Sequence, residues 1–528
     1  MTALPFAPMQ AYALTVDRFL DHGAKWHGAA RVVSVGQGVD RIVGYEGLRD
    51  RANRLSGALL DLGLKPGERI ATLAWNTQHH MEIWYASMGV GLVCHTLNPR
   101  LTVAHLAAMV AKADDRILAV GAGLRDVAEA LLDACPCLER LILLDDAEVE
   151  AGRTDILAYE PFLEARGRPA IWGRFDETAL AGLCFTSGTT GAPKGVAYTH
   201  RSNYLHTLRS LQADAFALTA DDVVLAAVPM FHASAWGLPF AAPAVGASLI
   251  LPGRAADGAS LARLIDQHQA TVAVGVPTVW LGLLDHLDAV GGETPSLQRV
   301  IIGGSSCPES LLRRMEARLN CTVQTSWGMT ELSPLGAISP RTERPGGAKG
   351  SGRPPLGLDL LLTDADGAPL PDQRSGVGHL KVKGHSVVSQ YFGAAEPATD
   401  ADGWFDTGDL ASLDEVGNLT LAGRSKDLIK SGGEWINPVE IEDVIGALPA
   451  VNLVAVIARA DARWGERPLM IIEAAGEEAP DDQTLKEALK GHVADWWIPD
   501  QIIRLETMPL AATGKINKAQ LRATYGAA

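Results

Sequence analysis

The chain has 528 residues, 47% hydrophobic and 20% charged, with 62 acidic against 46 basic side chains and a formal net charge of −16. That length exceeds what one hydrophobic core supports, so at least two domains are expected. The acidic balance argues against nucleic acid as a main partner, because backbone phosphates are held by a surplus of Lys and Arg; a small anion held by a few local cations and amides stays open.

Six cysteines (Cys94, Cys135, Cys137, Cys184, Cys307, Cys321) are scattered without a CxxC pair. They read as reduced thiols of a reducing compartment rather than as a disulfide or zinc framework. The N-terminal MTALPFAPMQAYALTVD has no basic region or long apolar run, so no signal peptide is expected. The apolar stretch 238–252 is broken by prolines and falls short of the ~20 residues that cross a bilayer. The expected location is the cytoplasm.

In chain order, the first 330 residues alternate between helix-like and strand-like segments. Leu48, Ala52, Leu55, Leu59 and Leu62 recur at helical spacing, with Gly63 behind them as a C-cap. RIATLAW (69–75) reads as a buried strand, LTVAHLAAMVAKA (101–113) as a helix and RILAV (116–120) as a strand. LRDVAEALLDA (124–134) and ERLILL (139–144) repeat the pair. Helix and strand in alternation mean a parallel sheet with covering helices. Further on, ATVAVGV (270–276) leads to a helix from near Pro277, and LQRVIIGG (297–304) to one from near Pro308. CTVQTSWGMTE (321–331) ends a strand in a polar cluster. Ligands of open α/β sheets sit beyond the carboxyl ends of strands, where these clusters fall.

GLCF (182–185) is a short apolar strand followed directly by TSGTTGAPKG (186–195). A strand followed by a Gly-rich loop presents backbone N–H groups to phosphate. The pattern is not G-x-x-x-x-G-K-[ST] with a helix behind it, since Pro193-Lys194-Gly195-Val196 runs into VAYTH, another strand. The two readings are a flap over a polyphosphate and a plain surface hairpin. Beyond about residue 350, GVGHLKVKG, GWFDTGDL and GNLTLAGR indicate a small β-rich unit. The last hundred residues return to α/β, with strands at 453–460, 467–475 and 501–506 and a helix over 482–497. The joint at 423–442 contains Gly432-Gly433, which takes positive φ at little steric cost.

Seven motifs occur in order: TSGTTGAPKGV (186–196), VPMFHASAWGLP (228–239), GGSSCPE (303–309), TSWGMTE (325–331), GWFDTGDL (403–410), GRSKDLIKSGGEWINPVEIE (423–442) and PLAATGKINK (509–518). Over essentially its whole length the chain resembles the adenylate-forming acyl-CoA synthetases, the superfamily that also holds luciferases and peptide-synthetase adenylation domains. FHxxAW and SGGEW are most similar to the medium- and long-chain fatty acyl-CoA synthetase branch, which includes relatives acting on short thioether acids such as 3-methylthiopropionate. The resemblance implies an α/β protein in two parts. Residues 1–425 form a large N-terminal adenylation domain of parallel-rich sheets, with a β-rich part at about 350–425, and 426–528 form a small mobile α+β domain.

It also implies ATP, Mg2+ and coenzyme A as cofactor and cosubstrates, and a homodimer. The reaction makes residue types intelligible. A carboxylate becomes reactive toward a thiol once it is an acyl-AMP anhydride, and attack on the α-phosphate brings anions together, so the protein must supply positive potential and geometry. Thr186, Ser187, Gly188, Thr189, Thr190, Gly191 and Lys194 are expected around the β- and γ-phosphates. Glu331 and Thr186 are expected at the metal, with Thr330 beside them. Ser305 would border the adenine, with Thr325, Ser326 and Trp327 lining the nucleotide; Asp409 would accept both ribose hydroxyls and Arg424 approach the same ribose. His232 would lie near the carboxylate, with Ala233 and Trp236 at the acyl chain. Lys515 would reach carboxylate and α-phosphate in one domain orientation; Lys426 marks the hinge, Lys430 and Trp435 close over the adenylate, and Gly432, Gly433 and Glu434 face coenzyme A in the other orientation.

Each has a plainer reading: Glu331 as a solvated loop acid, Asp409 as a turn residue, His232 and Trp236 as packing, Lys515 as an exposed lysine. The acid is expected to be a medium- or long-chain fatty acid, with a short thioether or aryl acid as alternative. An acyl-AMP ligase that loads a carrier protein, a luciferase-like oxidase and a non-catalytic nucleotide-binding module are the other classes.

Overall fold

The computed structural model describes residues 9–36, 39–144, 149, 153–186, 193–305, 307, 309–341, 350–374, 376–432, 434–476, 479–511 and 515–527. The fold is α/β, with two parallel-rich sheets, a separate antiparallel sheet and a C-terminal α+β unit. The first sheet has seven strands in the order Ile156–Ala158, Arg140–Leu143, Asp115–Val120, Arg69–Leu73, Val93–Leu97, Leu180–Thr186 and Lys194–Thr199. Only the last pair is antiparallel, with Thr186 opposite Lys194. The second has eight: Leu335–Ile338, Thr322–Gly328, Arg299–Ile302, Val272–Gly275, Val223–Ala226, Ser248–Leu251, Arg31–Ser34 and Arg41–Gly44, antiparallel only at its two edges.

The central strands are apolar throughout because helices cover both faces; all five residues of Val93–Leu97 are buried. Tyr45–Asp61 turns Leu48, Ala52, Leu55 and Leu59 fully inward, the stripe visible in the sequence. Thr77, Thr102, Thr199 and Asp257 open their helices by accepting the amide three residues on, which satisfies a donor the helix leaves unpaired.

Leu358–Thr363, Val377–Gly384, Phe405–Leu413 and Leu419–Arg424 form the antiparallel sheet. In the C-terminal unit, Glu434–Ile436, Ile429–Ser431, Gly465–Ala474 and Val451–Asp461 pair in that order, and Gln501–Leu505 runs parallel to Gly465–Ala474. Several expected elements are shorter than their sequence patterns, by a residue or two at most ends and by more at one helix. The strand at 69–75 stops at Leu73. The helix at 482–497 stops at Leu489, because Lys490 is extended and Gly491 takes φ 77°; Asp495–Trp497 is a separate 3-10 turn. All six cysteines are free thiols. Among the described residues no helix is long and apolar enough to cross a membrane.

Candidate active site

A cleft of about 2880 Å³ lies where the two parallel-rich sheets, the antiparallel sheet and the C-terminal unit meet. It is lined by Thr186, Lys194, His232, Ala233, Trp236, Ser305, Thr325, Ser326, Trp327, Thr330, Glu331, Asp409, Arg424, Lys426 and Lys515. Residues as far apart in sequence as Thr186 and Lys515 therefore share one cavity. Ser187, Gly188, Thr189, Thr190 and Gly191, together with Gly433, lie outside the described residues. The stems of that loop are present: Thr186 and Lys194 close the antiparallel pair, and Thr186 Oγ1 donates to the Lys194 carbonyl at 3.4 Å.

His232 enters from a backbone that sequence patterns do not reveal. Ala233, Ser234, Ala235 and Trp236 have φ of 44°, 53°, 47° and 54°, four consecutive left-handed residues without a glycine among them. Such a conformation costs roughly 1–2 kcal/mol per residue, so tertiary contacts must impose it. Asn76, buried at the end of a loop from the seven-stranded sheet, fixes the segment that leads into this turn. Its amide donates to the carbonyls of Ala226 (3.0 Å) and Val228 (2.7 Å), and its Oδ1 accepts from Met230 N at 2.7 Å. The Trp236 indole rests on Gly303 and Gly304. A Cβ on Gly303 would stand 3.2 Å from the ring, and one on Gly304 would stand 3.6 Å from the ring and 3.9 Å from Lys515 Cε.

Lys515 thus reaches the same corner as His232. Burial pushes the His232 pKa down to about 4, and the Lys515 ammonium adds to that. The imidazole is neutral at neutral pH and presents a lone pair as well as an N–H. Burial also lowers the Lys515 pKa, as does Arg424, while Asp409 opposes both. Asp409 is buried and bridges two donors: Arg424 Nε at 2.8 Å and the Trp327 indole N–H at 3.2 Å. Burial raises its carboxyl above the ordinary range against the pull of Arg424, Trp327 and Lys515. Arg424 is fixed again by donating to the Thr407 carbonyl at 2.9 Å. Ser326 Oγ donates to the Ile302 carbonyl and Thr325 Oγ1 to that of Gly350.

Elsewhere on the cleft wall Glu331 is buried in the 3-10 turn Thr330–Leu332. The Tyr391 hydroxyl donates to its Oε1 at 3.0 Å, and Tyr198 donates to the Thr330 carbonyl at 2.9 Å. No three His, Cys, Asp or Glu converge among the described residues. One carboxylate and the Thr186 hydroxyl facing a common cleft suit a hard cation that keeps waters and shares phosphate oxygens, as Mg2+ does.

Four expected residues are not in the cleft. Lys430, Gly432, Glu434 and Trp435 belong to the hairpin of Ile429–Ser431 and Glu434–Ile436, which packs on Gly465–Ala474; Gly432 N donates to the Trp464 carbonyl at 2.8 Å. Trp435 is 53% exposed, with Lys430 Nζ 5.4 Å from its ring centroid. With Lys515 inserted, this hairpin is held by its own unit rather than by the site. Asn76, Tyr198 and Tyr391 were not singled out from the sequence. The signal available for Asn76 was a polar residue closing an apolar strand.

A family model described as AMP-binding enzyme matches residues 20–392, and one described as AMP-binding enzyme C-terminal domain matches 440–515. The chain is 40% identical over 529 residues to a 3-methylmercaptopropionyl-CoA ligase of Ruegeria pomeroyi, covering 98% of each chain. It is 39% identical to a medium-chain-fatty-acid–CoA ligase of Ectopseudomonas oleovorans, covering 98% of this chain and 97% of the relative. The crystal structure of ATP-bound MatB from Rhodopseudomonas palustris superposes with a TM-score of 0.84 at 25% identity, over 97% of this chain and 99% of that one.

Proposed function

The chain belongs to the AMP-binding enzyme family, and from that premise we propose which of its residues act on which part of the reaction and what kind of acid they take. It is an AMP-forming acid–CoA ligase that uses ATP, Mg2+ and coenzyme A. A carboxylate oxygen attacks the α-phosphorus of ATP and pyrophosphate leaves. The coenzyme A sulfur then attacks the acyl carbon of the acyl-AMP, losing its thiol proton, and AMP leaves.

The observation that carries the residue assignment is the meeting of Lys515 and neutral His232 beside the Asp409–Arg424 pair, inside one cleft. We assign the Lys515 ammonium to the charge that gathers where carboxylate meets α-phosphate; a preorganised cation in a site with little water stabilises such charge strongly. His232, neutral, orients the carboxylate without competing for its charge. Asp409, already bridged by Arg424 and Trp327, takes the ribose, and Thr325, Ser326 and Ser305 border the base. Glu331 and Thr186 hold Mg2+, which when bound neutralises phosphate charge; Lys194 and the loop residues 187–191 hold the departing pyrophosphate. We assign 1–425 to the adenylation domain and 426–528 to a mobile unit. Its rotation about Lys426 withdraws Lys515 and brings Lys430, Trp435 and the Gly432–Glu434 turn to the site for thioester formation, a hinge motion at element ends.

Phe216, Ala233, Trp236, Ile302 and Leu335 are among the apolar residues that line the cleft, and we assign the acyl chain to them. We propose a straight-chain medium- or long-chain acid. A short thioether acid is the second reading, favoured by the resemblance to the Ruegeria enzyme and by the Trp236 indole standing over Gly303 and Gly304. AMP release with coenzyme A, measured across straight-chain, thioether and aryl acids, ranks these. An aryl acid as the best substrate sinks both readings. A cytoplasmic location, suited to six free thiols, and a homodimer complete the proposal; light scattering tests the latter.

A further inference from the structure

The sequence motifs stop at Glu331 and resume at residue 403, and SVVSQYF (386–392) belongs to none of them. This segment nevertheless touches both halves of the phosphate side. Val388 N donates to the Glu331 carbonyl at 2.8 Å, and the Tyr391 hydroxyl donates to Glu331 Oε1 at 3.0 Å. One residue on, Phe392 N donates to the Gly195 carbonyl at 2.7 Å. Lys194 Nζ stands 4.9 Å from the centroid of the Tyr391 ring. The approach is close: a Cβ on Gly195 would meet Phe392 Cβ at 3.0 Å.

Glu331 sits in the turn that leads into Leu335–Ile338, an edge strand of the eight-stranded sheet, and Lys194 begins the edge strand of the seven-stranded one. We propose that residues 388–392 form a strap across these two edges, and that Tyr391 is the positioning residue that fixes the Glu331 carboxylate relative to the Lys194 ammonium. A glutamate carboxylate rotates freely about its last bond. Pinning one oxygen to the phenol leaves the other at a set place for a cation that demands near-octahedral geometry. Lysine is a point charge on a flexible stem, and the ring face confines it through cation–π attraction. The strap rests on the reading of Glu331 as a metal ligand proposed above.

Two substitutions separate the contacts: Tyr391→Phe removes the hydroxyl and keeps the ring, whereas Tyr391→Leu removes both. Mn2+ binding at saturating ATP, read by loss of the free-ion EPR signal, should weaken about tenfold in Tyr391→Phe, the scale of one hydrogen bond to a charged group. ATP binding in EDTA, read by calorimetry, should change little in Tyr391→Phe and weaken severalfold in Tyr391→Leu. Thioester formation from supplied acyl-AMP needs neither metal nor β- and γ-phosphates, so it should be retained in both, and unaltered thermal midpoints would show that both fold. Glu331→Gln run alongside distinguishes the two claims. If it weakens Mn2+ and Tyr391→Phe does not, the strap is refuted and Glu331 stands. If Glu331→Gln leaves Mn2+ affinity unchanged, both fall. Equal ATP affinity in the Phe and Leu variants overturns the Lys194 half of the proposal.

Discussion

Replacing Lys515 by Met keeps the length and apolar stem of the side chain while deleting its charge. The ammonium is half-buried in the cleft, within electrostatic reach of His232, Arg424 and Asp409. A unit charge about 4 Å from another, at the effective dielectric of about 20 that suits such sites, interacts by about 4 kcal/mol. If that interaction is made with charge that develops between carboxylate and α-phosphate, adenylation should slow by roughly 10³-fold. Pyrophosphate exchange and single-turnover acyl-AMP formation measure this half-reaction alone. Thioester formation from supplied acyl-AMP should be largely spared, because the rotated C-terminal unit no longer presents Lys515. The structure adds a readout independent of rate. Lys515 is the second cause that holds the His232 pKa down near 4, so in Lys515→Met the His232 ring should titrate higher, observable in the NMR shifts of a selectively labelled protein. An equal loss in both half-reactions would refute the two-orientation account. An unmoved His232 titration would refute the placement of Lys515 in this corner.

Trp236→Ala should change the kcat/KM ratio between long and short acids by about tenfold, since the indole over Gly303 and Gly304 limits the acyl side; an unchanged profile in a destabilised protein returns it to packing. At the same position Trp236→Gly should be about 1 kcal/mol more stable than Trp236→Ala in thermal unfolding, because φ 54° strains any residue with a Cβ; equal stability would deny the left-handed turn. Asp409→Asn leaves the Trp327 indole an acceptor but removes the charge held by Arg424, so the AMP Kd should rise about tenfold or more with little loss of stability, and unchanged binding would exclude the ribose role. His80 is buried with its pKa lowered by burial to about 4. Because the folded pKa is depressed, its stabilising contribution is complete above its ordinary pKa of 6.5 and is lost as pH falls toward 4. The unfolding free-energy gap between the parent and His80→Gln should shrink by about 3 kcal/mol from pH 7 to pH 4; a constant gap contradicts the assignment.

The sheets and much of the cleft lining were legible because apolar runs end in polar clusters at strand ends: GLCF before the 186–195 hairpin, VIIGG before Ser305, TSWGMTE around Glu331. In each case one local rule decides both the strand and the place where ligands gather. What escaped depends on contacts distant in sequence. No glycine marks residues 233–236 as left-handed, and the segment that leads into them is held by Asn76, some 150 residues earlier. Tyr391 reaches Glu331 from 60 residues away, with no periodicity to announce it. The placement of the Lys430–Trp435 hairpin outside the cleft follows from the orientation of a whole unit, which local patterns do not encode. The helix expected over 482–497 failed for a local reason that was visible, the Lys490-Gly491 break.

Formation of the acyl-AMP requires that the acid's own oxygen attack the α-phosphorus. The most direct test supplies the preferred acid with both carboxylate oxygens labelled with 18O, together with ATP, Mg2+ and coenzyme A, and weighs the products by mass spectrometry. Attack on the α-phosphorus followed by thiol displacement predicts one 18O in the phosphate of AMP, one in the acyl-CoA carbonyl and none in pyrophosphate. Label in pyrophosphate or in inorganic phosphate, or AMP carrying none, would contradict it.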